Sequence, residues 1–264
     1  MTARASLTES LCRFDPDADT RAAVALRVEV PQREAEQPLH RHRKGQLVMA
    51  LRGGVTCSVP KAMWMVPPQH AVWIPGGMPH SNRATDNASI CFLFIEPGAV
   101  ALPDECCTLS ISPLVRELIL HLADQPAAAV PDEAGARLAQ VLLDQVAACP
   151  LESLHLPVSG HPKIRRMVDA LAEDPANRMT LADWAARLAL SDRSLARLVK
   201  RETGLTFGRW RQQLHMIVAL RQLSAGMTVQ QVAGNLGYDS VTAFITMFKK
   251  AVGQPPGQYF AALR

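Results

Sequence analysis

The sequence has no long hydrophobic run. Nowhere in its 264 residues do about 18 apolar residues follow one another, so no transmembrane helix is expected. Aromatic residues are scarce at 5%, while charged residues make up 20% and hydrophobic residues 48%. That balance is the one found in soluble globular domains, and it excludes wholesale disorder and fibrous rods. Six cysteines are too few to staple a chain of this length. Cys106 and Cys107 are adjacent; such a pair can serve redox or metal chemistry, and the plainer reading is two small buried residues. Residues 1–13 lack an apolar core followed by a small-residue cleavage site. No secretory leader is therefore expected, and the expected location is the cytoplasm.

Acidic residues are scarce in one part of the chain only. Residues 161–264 hold 15 Lys and Arg against 7 Asp and Glu, a net of +8; residues 1–160 hold 13 against 17, a net of −4. A basic C-terminal part suits a polyanionic partner. Texture changes at the same place. Short apolar runs at 23–30, 46–51, 55–59, 71–74 and 90–95, separated by Gly and Pro, predict an all-β sandwich or barrel over residues 1–110. Helical patterns at 113–124 and 132–148 predict a helical pair over 111–150. Residues 151–162, rich in proline and without period, read as a linker. Residues 163–264 read as helix throughout, so the fold class is α+β in two domains.

The helical part repeats itself. Met179–Leu188 matches Met227–Leu236 at an offset of 48, and Leu195–Gly204 matches Phe244–Gly253 at 49. Thr180 with Asp183 and Thr228 with Gln231 have capping-box spacing. Ser191, and Asp239 or Ser240, can cap the second helix of each copy; Gly204 and Gly253 can end it. Each copy is a helix-turn-helix. Between them, 206–223 has helical spacing and makes a rod of about 27 Å, close to one duplex turn of about 34 Å. With Leu195, Leu198, Val199, Phe244, Met247 and Phe248 inward, the outward set contains Arg193, Ser194, Arg197, Lys200 and Arg201 in the first copy. In the second it contains Val241, Thr242, Ile245, Thr246, Lys249 and Lys250. Arg193 and Arg197 are suited to guanine edges; Val241, Thr242 and Thr246 offer methyl groups and hydroxyls; Lys200, Arg201, Lys249 and Lys250 suit phosphates.

The stretch from Phe244 through Phe248-Lys249, Gly253 and Pro256 to Tyr259 resembles the signature F-x3-F-K-x3-G-x2-P-x2-Y-R of AraC/XylS transcription regulators, with Phe260 in place of the final Arg. The resemblance covers residues 163–263. It implies sequence-specific binding of double-stranded promoter DNA through two successive major grooves.

In the N-terminal part, His40-x-His42-x3-Gln46-x6-Gly53 puts two imidazoles on one strand face, and His80 follows the turn Pro75-Gly-Gly77. Three neutral imidazoles and an amide could form the first shell of one divalent ion, Zn, Ni, Fe or Mn. These segments resemble the two cupin motifs, with Gln46 where Glu is usual, Gln69 where the second motif begins with Gly, and no spaced Asn. That likeness implies a small antiparallel jelly-roll barrel acting as the sensor. Met49, Trp64, Trp73 and Phe92 are candidate walls of an effector pocket that also holds His40, His42, Gln46 and His80. Either a metal sits there, or the histidines bond a small-molecule effector directly. His70, His121, His155 and His161 read as surface or core residues. The helical pair either forms a homodimer contact or packs on its own barrel. The expected protein is an effector-responsive regulator without membrane attachment. The alternative, a cupin-type metal-dependent oxygenase or isomerase, leaves the duplicated helical module unexplained.

Overall fold

The structure is a computed structural model that describes residues 14–30, 35–60, 62–66, 69–85, 88–125, 133–152 and 155–261. The chain divides into two compact units. The first holds the described residues within 1–59 and 65–154, and the second those within 60–64 and 155–264. No helix among the described residues is long and apolar enough to cross a membrane.

Among the described residues eleven strands run in chain order. They are β1 (Ala23–Glu29), β2 (Ala35–His40), β3 (Gly45–Arg52), β4 (Val55–Val59), β5 (Ala62–Met65), β6 (His70–Ile74), β7 (His80–Ala84), β8 (Ser89–Ile95), β9 (Cys107–Ser110), β10 (Leu151–Glu152) and β11 (His155–Pro157). In the first unit, one antiparallel sheet has the order β1-β8-β3-β6-β9-β10, and β4, β7 and β2 belong to a second. The barrel expected over residues 1–110 is thus two antiparallel sheets. Among the described residues no strand of one pairs with a strand of the other, so the unit buries its inner face between sheets without closing a ring.

All seven residues of β8 are buried, because both faces of its sheet are covered. Cys91, Leu93 and Ile95 join Leu47, Met49, Ala71 and Trp73 beneath two helices, α1 (Pro113–Ala123) and α2 (Glu133–Ala147). The helices contribute Val115, Ile119, Leu122, Leu142, Leu143 and Val146 to the same cluster. Each such side chain is worth roughly 1.5–3 kcal/mol when fully buried. Ser112 caps α1, and Pro113 starts it, where a missing N–H costs nothing. The apolar stripes of the helical pair therefore pack on their own sheet. Leu114 (53%) and Val141 (49%) stay exposed on the outer side.

The second unit begins with β5 paired to β11, His155 opposite Trp64. The segment read as a linker thus carries strands β10 and β11, which at two and three residues are too short to show a period. Among the described residues seven helices follow: α3 (Pro162–Glu173), α4 (Leu181–Arg187), α5 (Asp192–Thr203), α6 (Phe207–Ser224), α7 (Val229–Asn235), α8 (Val241–Val252) and α9 (Pro256–Ala261). Both capping boxes form, Thr180 with Asp183 and Thr228 with Gln231. Ser191 and Ser240 cap α5 and α8, and Gly204 and Gly253 end them in the left-handed conformation. The rod α6 has 18 residues, about 27 Å. Trp210, Leu214 and the run Met216–Leu220 are buried. A stretch buried on every side, as Met216–Leu220 is, marks a core element, here the one on which both copies are built.

Candidate nucleic-acid interface and sensor site

In the second unit, Leu195 and Val199 of α5 and Phe244 and Phe248 of α8 are buried. Ala185 and Ala233 are buried in the first helix of each copy, where a crossing helix comes close. The opposite faces of α5 and α8 expose Arg193, Ser194, Arg197, Lys200 and Arg201, and Thr242, Thr246, Lys249 and Lys250; Val241 is half-buried. Some of these groups are already engaged. Arg201 pairs with Glu202 at 2.9 Å. Thr246 Oγ1 donates to the Thr242 carbonyl at 2.9 Å, so its lone pairs face outward as acceptors. The tight turns have the same geometry. Leu190 N donates to Ala185 O, and Tyr238 N to Ala233 O, both at 2.9 Å.

In the first unit the two cupin-like segments meet. His40 and His80 ring centroids lie 4.2 Å apart, and His42 and His80 5.0 Å. One ligand atom from each of the three histidines lies within 4.8 Å of the others. Each imidazole is oriented by a backbone carbonyl. His40 Nδ1 donates to Pro38 O at 2.9 Å, His42 Nδ1 to Lys44 O at 2.6 Å and His80 Nδ1 to Met78 O at 2.8 Å. A carbonyl only accepts, so the ring proton sits on Nδ1 and the Nε2 lone pairs remain. Burial pulls His80 down to about 4 and also lowers His40, which keeps both neutral. Gln46 Oε1 lies 2.8 Å from His42 Nε2 and 3.0 Å from His80 Nε2. Positive-φ residues place the turns. Gly53 and Gly77 adopt φ 68° and 76°, and Gln69 has φ 59°, so Gln69 holds the left-handed conformation that suits the Gly it replaces.

Known proteins resemble this chain along most of its length. The helix-turn-helix domain family matches residues 184–262. The HTH-type transcriptional regulator NimR of Escherichia coli is 56% identical over 250 residues, which is 95% of this chain and 92% of that protein. A putative AraC-like transcription regulator of Streptomyces antibioticus is 30% identical across 85% of this chain and 67% of its own length. This chain belongs to the AraC-like family of helix-turn-helix transcription regulators. It is a helix-turn-helix transcription regulator rather than an enzyme, which sets aside the oxygenase or isomerase reading.

A cleft of the first unit, about 250 Å³, is lined by Phe14, Asp15, Asp17, Gln37, His40, Arg41, His42, Gln46 and Phe94 among others, with His80 buried beneath. Three of the expected walls lie elsewhere. Met49 and Trp73 belong to the cluster under the helices, because they sit one residue out of phase with Gln46 and its neighbour Ile74. Trp64 belongs to the second unit, where its ring stacks on His155 at 5.2 Å. Phe92 shares the inner face and stacks behind Phe94 at 6.2 Å. Phe94, directly opposite Gln46 in the register, was missed by sequence reasoning, although alternation along β8 points to it. Asp17 was missed too. Burial would raise its carboxyl, but the Arg43 and Lys44 backbone N–H groups hold it below the ordinary value, at 2.6 and 3.0 Å. Lys44 is fully buried; its Nζ donates to Arg21 O at 2.6 Å and fixes the turn that carries His42. The adjacent thiols are half-buried and protonated, since burial pushes Cys106 up to about 12 and Cys107 to about 11.

Proposed function

We propose that the regulator senses a small molecule in the cleft of its first unit, with one divalent cation (Zn, Ni, Fe or Mn) held by His40, His42, His80 and Gln46. It acts on promoter DNA in the cytoplasm as a homodimer. The observation that carries the reading is the direction of four lone-pair groups. One ring nitrogen from each of the three histidines converges with the others, and His42 Nε2 and His80 Nε2 stand at hydrogen-bond distance from Gln46 Oε1. Neutral acceptors at that distance repel unless a cation or donor lies between them, so the donor set fits a borderline metal ion. When bound, the ion supplies a Lewis-acidic point to which an electron-rich effector attaches. Phe94, Gln37 and Arg41 then select its shape and charge. A second reading rests on Gln46 Nε2, a buried atom without a partner among the described residues. With the amide turned over, its NH₂ donates to both imidazoles, and the cleft takes an organic effector without metal.

On the DNA side, Arg193 and Arg197 read bases from α5, Val241, Thr242 and Thr246 read from α8, and Ser194, Lys200, Arg201, Lys249 and Lys250 hold the backbone. In this reading the dimer contact uses the outer faces of α1 and α2, and the exposure of Leu114 and Val141 supports it. Elemental analysis of the purified chain combined with native mass tests both assemblies. A stoichiometric divalent metal on a dimer is expected. A metal-free protein that also fails to take up Zn or Ni sinks the metal reading in favour of the organic one, and a monomer at promoter-binding concentrations sinks the dimer.

A further inference from the structure

The second unit carries two clefts that the internal repeat relates to each other. The first, about 570 Å³, lies between the start of α3 and α5, with His161, Arg197, Leu198 and Lys200 on its walls. The second, about 370 Å³, lies between the first half of α6 and α8, with Arg178, Arg211, Tyr238 and Met247. Leu198 and Met247 stand at the repeat offset of 49. Leu190, also in the first cleft, corresponds to Tyr238 at 48. In each copy, the cleft therefore lies where the preceding helix meets the turn and one flank of the recognition helix. No carboxylate is among the residues that line either cleft.

Their basic groups are incompletely matched. In the first cleft, His161 Nδ1 accepts from Lys163 N at 3.3 Å, which places the ring proton on Nε2 as a donor. In the second, Arg178 pairs with Asp239 at 2.6 Å, but Arg211 has no carboxylate partner among the described residues. Its Nη2 donates to Met179 O, its guanidinium lies 4.6 Å from the centre of the Phe207 ring, and its Nε is buried without a partner. Burial lowers its pKa. A cation held half-buried without an anion is costly, and an incoming anion removes that cost. The first cleft shares Arg197 with the base-reading set and Ser194 with the backbone-holding set, so it opens beside the groove that α5 enters. The repeat puts the second beside the groove of α8.

We infer that the two clefts are phosphate seats, each receiving a backbone phosphate next to its recognition helix, with Arg211 in the second and His161 and Lys200 in the first as contacts. The inference rests on the reading that α5 and α8 face the duplex. It extends the DNA interface to α3 and α6, which lie outside both recognition helices.

Binding of the full chain is measured by fluorescence anisotropy over a range of KCl. Two duplexes are compared: one enriched from a random pool by the wild-type protein, and one of arbitrary sequence. Each phosphate contact adds about 0.9 to the magnitude of the salt slope. Arg211→Met is expected to lower that slope by about one contact and to leave the preference between the duplexes intact. Arg211→Lys, which keeps the cation, is expected to retain the slope; a purely structural role would change melting in both variants and the slope in neither. Arg197→Ala is the control for the underlying reading and is expected to collapse the preference. An unchanged slope in Arg211→Met beside a collapsed preference in Arg197→Ala overturns the seats and leaves the base-reading assignment standing. No effect of either variant overturns both. If inorganic phosphate, at matched ionic strength, raises the melting temperature of the wild type but not of Arg211→Met while the slopes agree, the cleft serves a free anion and the DNA assignment falls.

Discussion

Trp210 Nε1 donates to the carbonyl of Pro157 at 2.9 Å, tying the rod α6 to a three-residue strand in the stretch that reads as a linker. The indole is fully buried. Replacing it by Phe keeps an aromatic ring but strands a carbonyl, and an unsatisfied buried group costs roughly 1–3 kcal/mol. Trp210→Phe should destabilise the second unit by that amount, read as a lower denaturant midpoint at an unchanged slope. A midpoint equal to the wild type would mean that water replaces the indole at no cost.

The two turns differ at one position that the repeat makes comparable. Ala189 has φ 51° and Gly237 has φ 71°, 48 residues apart. A left-handed non-glycine residue costs about 1–2 kcal/mol, of which glycine's greater chain entropy returns about 0.5–1. Ala189→Gly should therefore stabilise the second unit by about 0.5–1 kcal/mol. Gly237→Ala should do the opposite and more strongly, because a Cβ there would stand 2.9 Å from the Ala176 carbonyl oxygen. Thermal melting of the pair decides it; two shifts of the same sign would refute the strain argument.

His215 bonds Tyr238 Oη at 3.2 Å and the Pro175 carbonyl at 3.1 Å, and burial lowers its pKa below 6.5. Below that ordinary value the unfolded chain takes up a proton that the folded one refuses, so stability falls as pH drops from about 6.5 toward the folded pKa. His155, lowered by burial as well, acts with the same sign. His215→Gln should flatten the dependence of melting temperature on pH between neutrality and mild acid without abolishing it. A profile unchanged by the substitution would show that His215 titrates normally.

The helical unit was legible almost residue by residue, because caps, left-handed glycines and a period of 3.6 are local signals. The capping boxes at Thr180 and Thr228, the end at Gly204 and the inward positions Leu195 and Phe248 needed no tertiary information. The sheets were less legible. Val55–Val59 and Ser89–Ile95 could be seen as strands, but which strands neighbour one another depends on pairings distant in sequence. The histidines could be grouped because His40 and His42 stand two residues apart and His80 follows a turn, although the strand expected to carry both of the first two ends at His40 and leaves His42 in the turn that follows. The walls failed for two reasons. Alternation puts Met49 and Trp73 on the face opposite Gln46, a signal present in the sequence and overlooked. The place of Trp64 depends on β11, some ninety residues away, which no local pattern announces. The clefts beside α5 and α8 emerge only once the preceding helix is packed on each turn.

Gln46→Glu separates the two readings of the histidine cleft. If Oε1 faces the imidazole lone pairs because a cation belongs between them, a carboxylate supplies the same oxygen with a full charge. Affinity for Zn or Ni should then rise about tenfold or more, since 1.4 kcal/mol corresponds to a factor of ten. If instead the amide NH₂ donates to His42 and His80, the substitution deletes both donors and sets an anion against two lone pairs. The variant would then be less stable without metal by roughly 1–3 kcal/mol, or would recover only by protonating a histidine that burial keeps neutral. Competition with a chromophoric chelator gives the affinity, and melting with and without added metal gives the stability. Tighter metal binding with a large metal-dependent rise in melting temperature supports the cation. Loss of stability that no added ion restores assigns the cleft to an organic effector held directly by His40, His42 and His80.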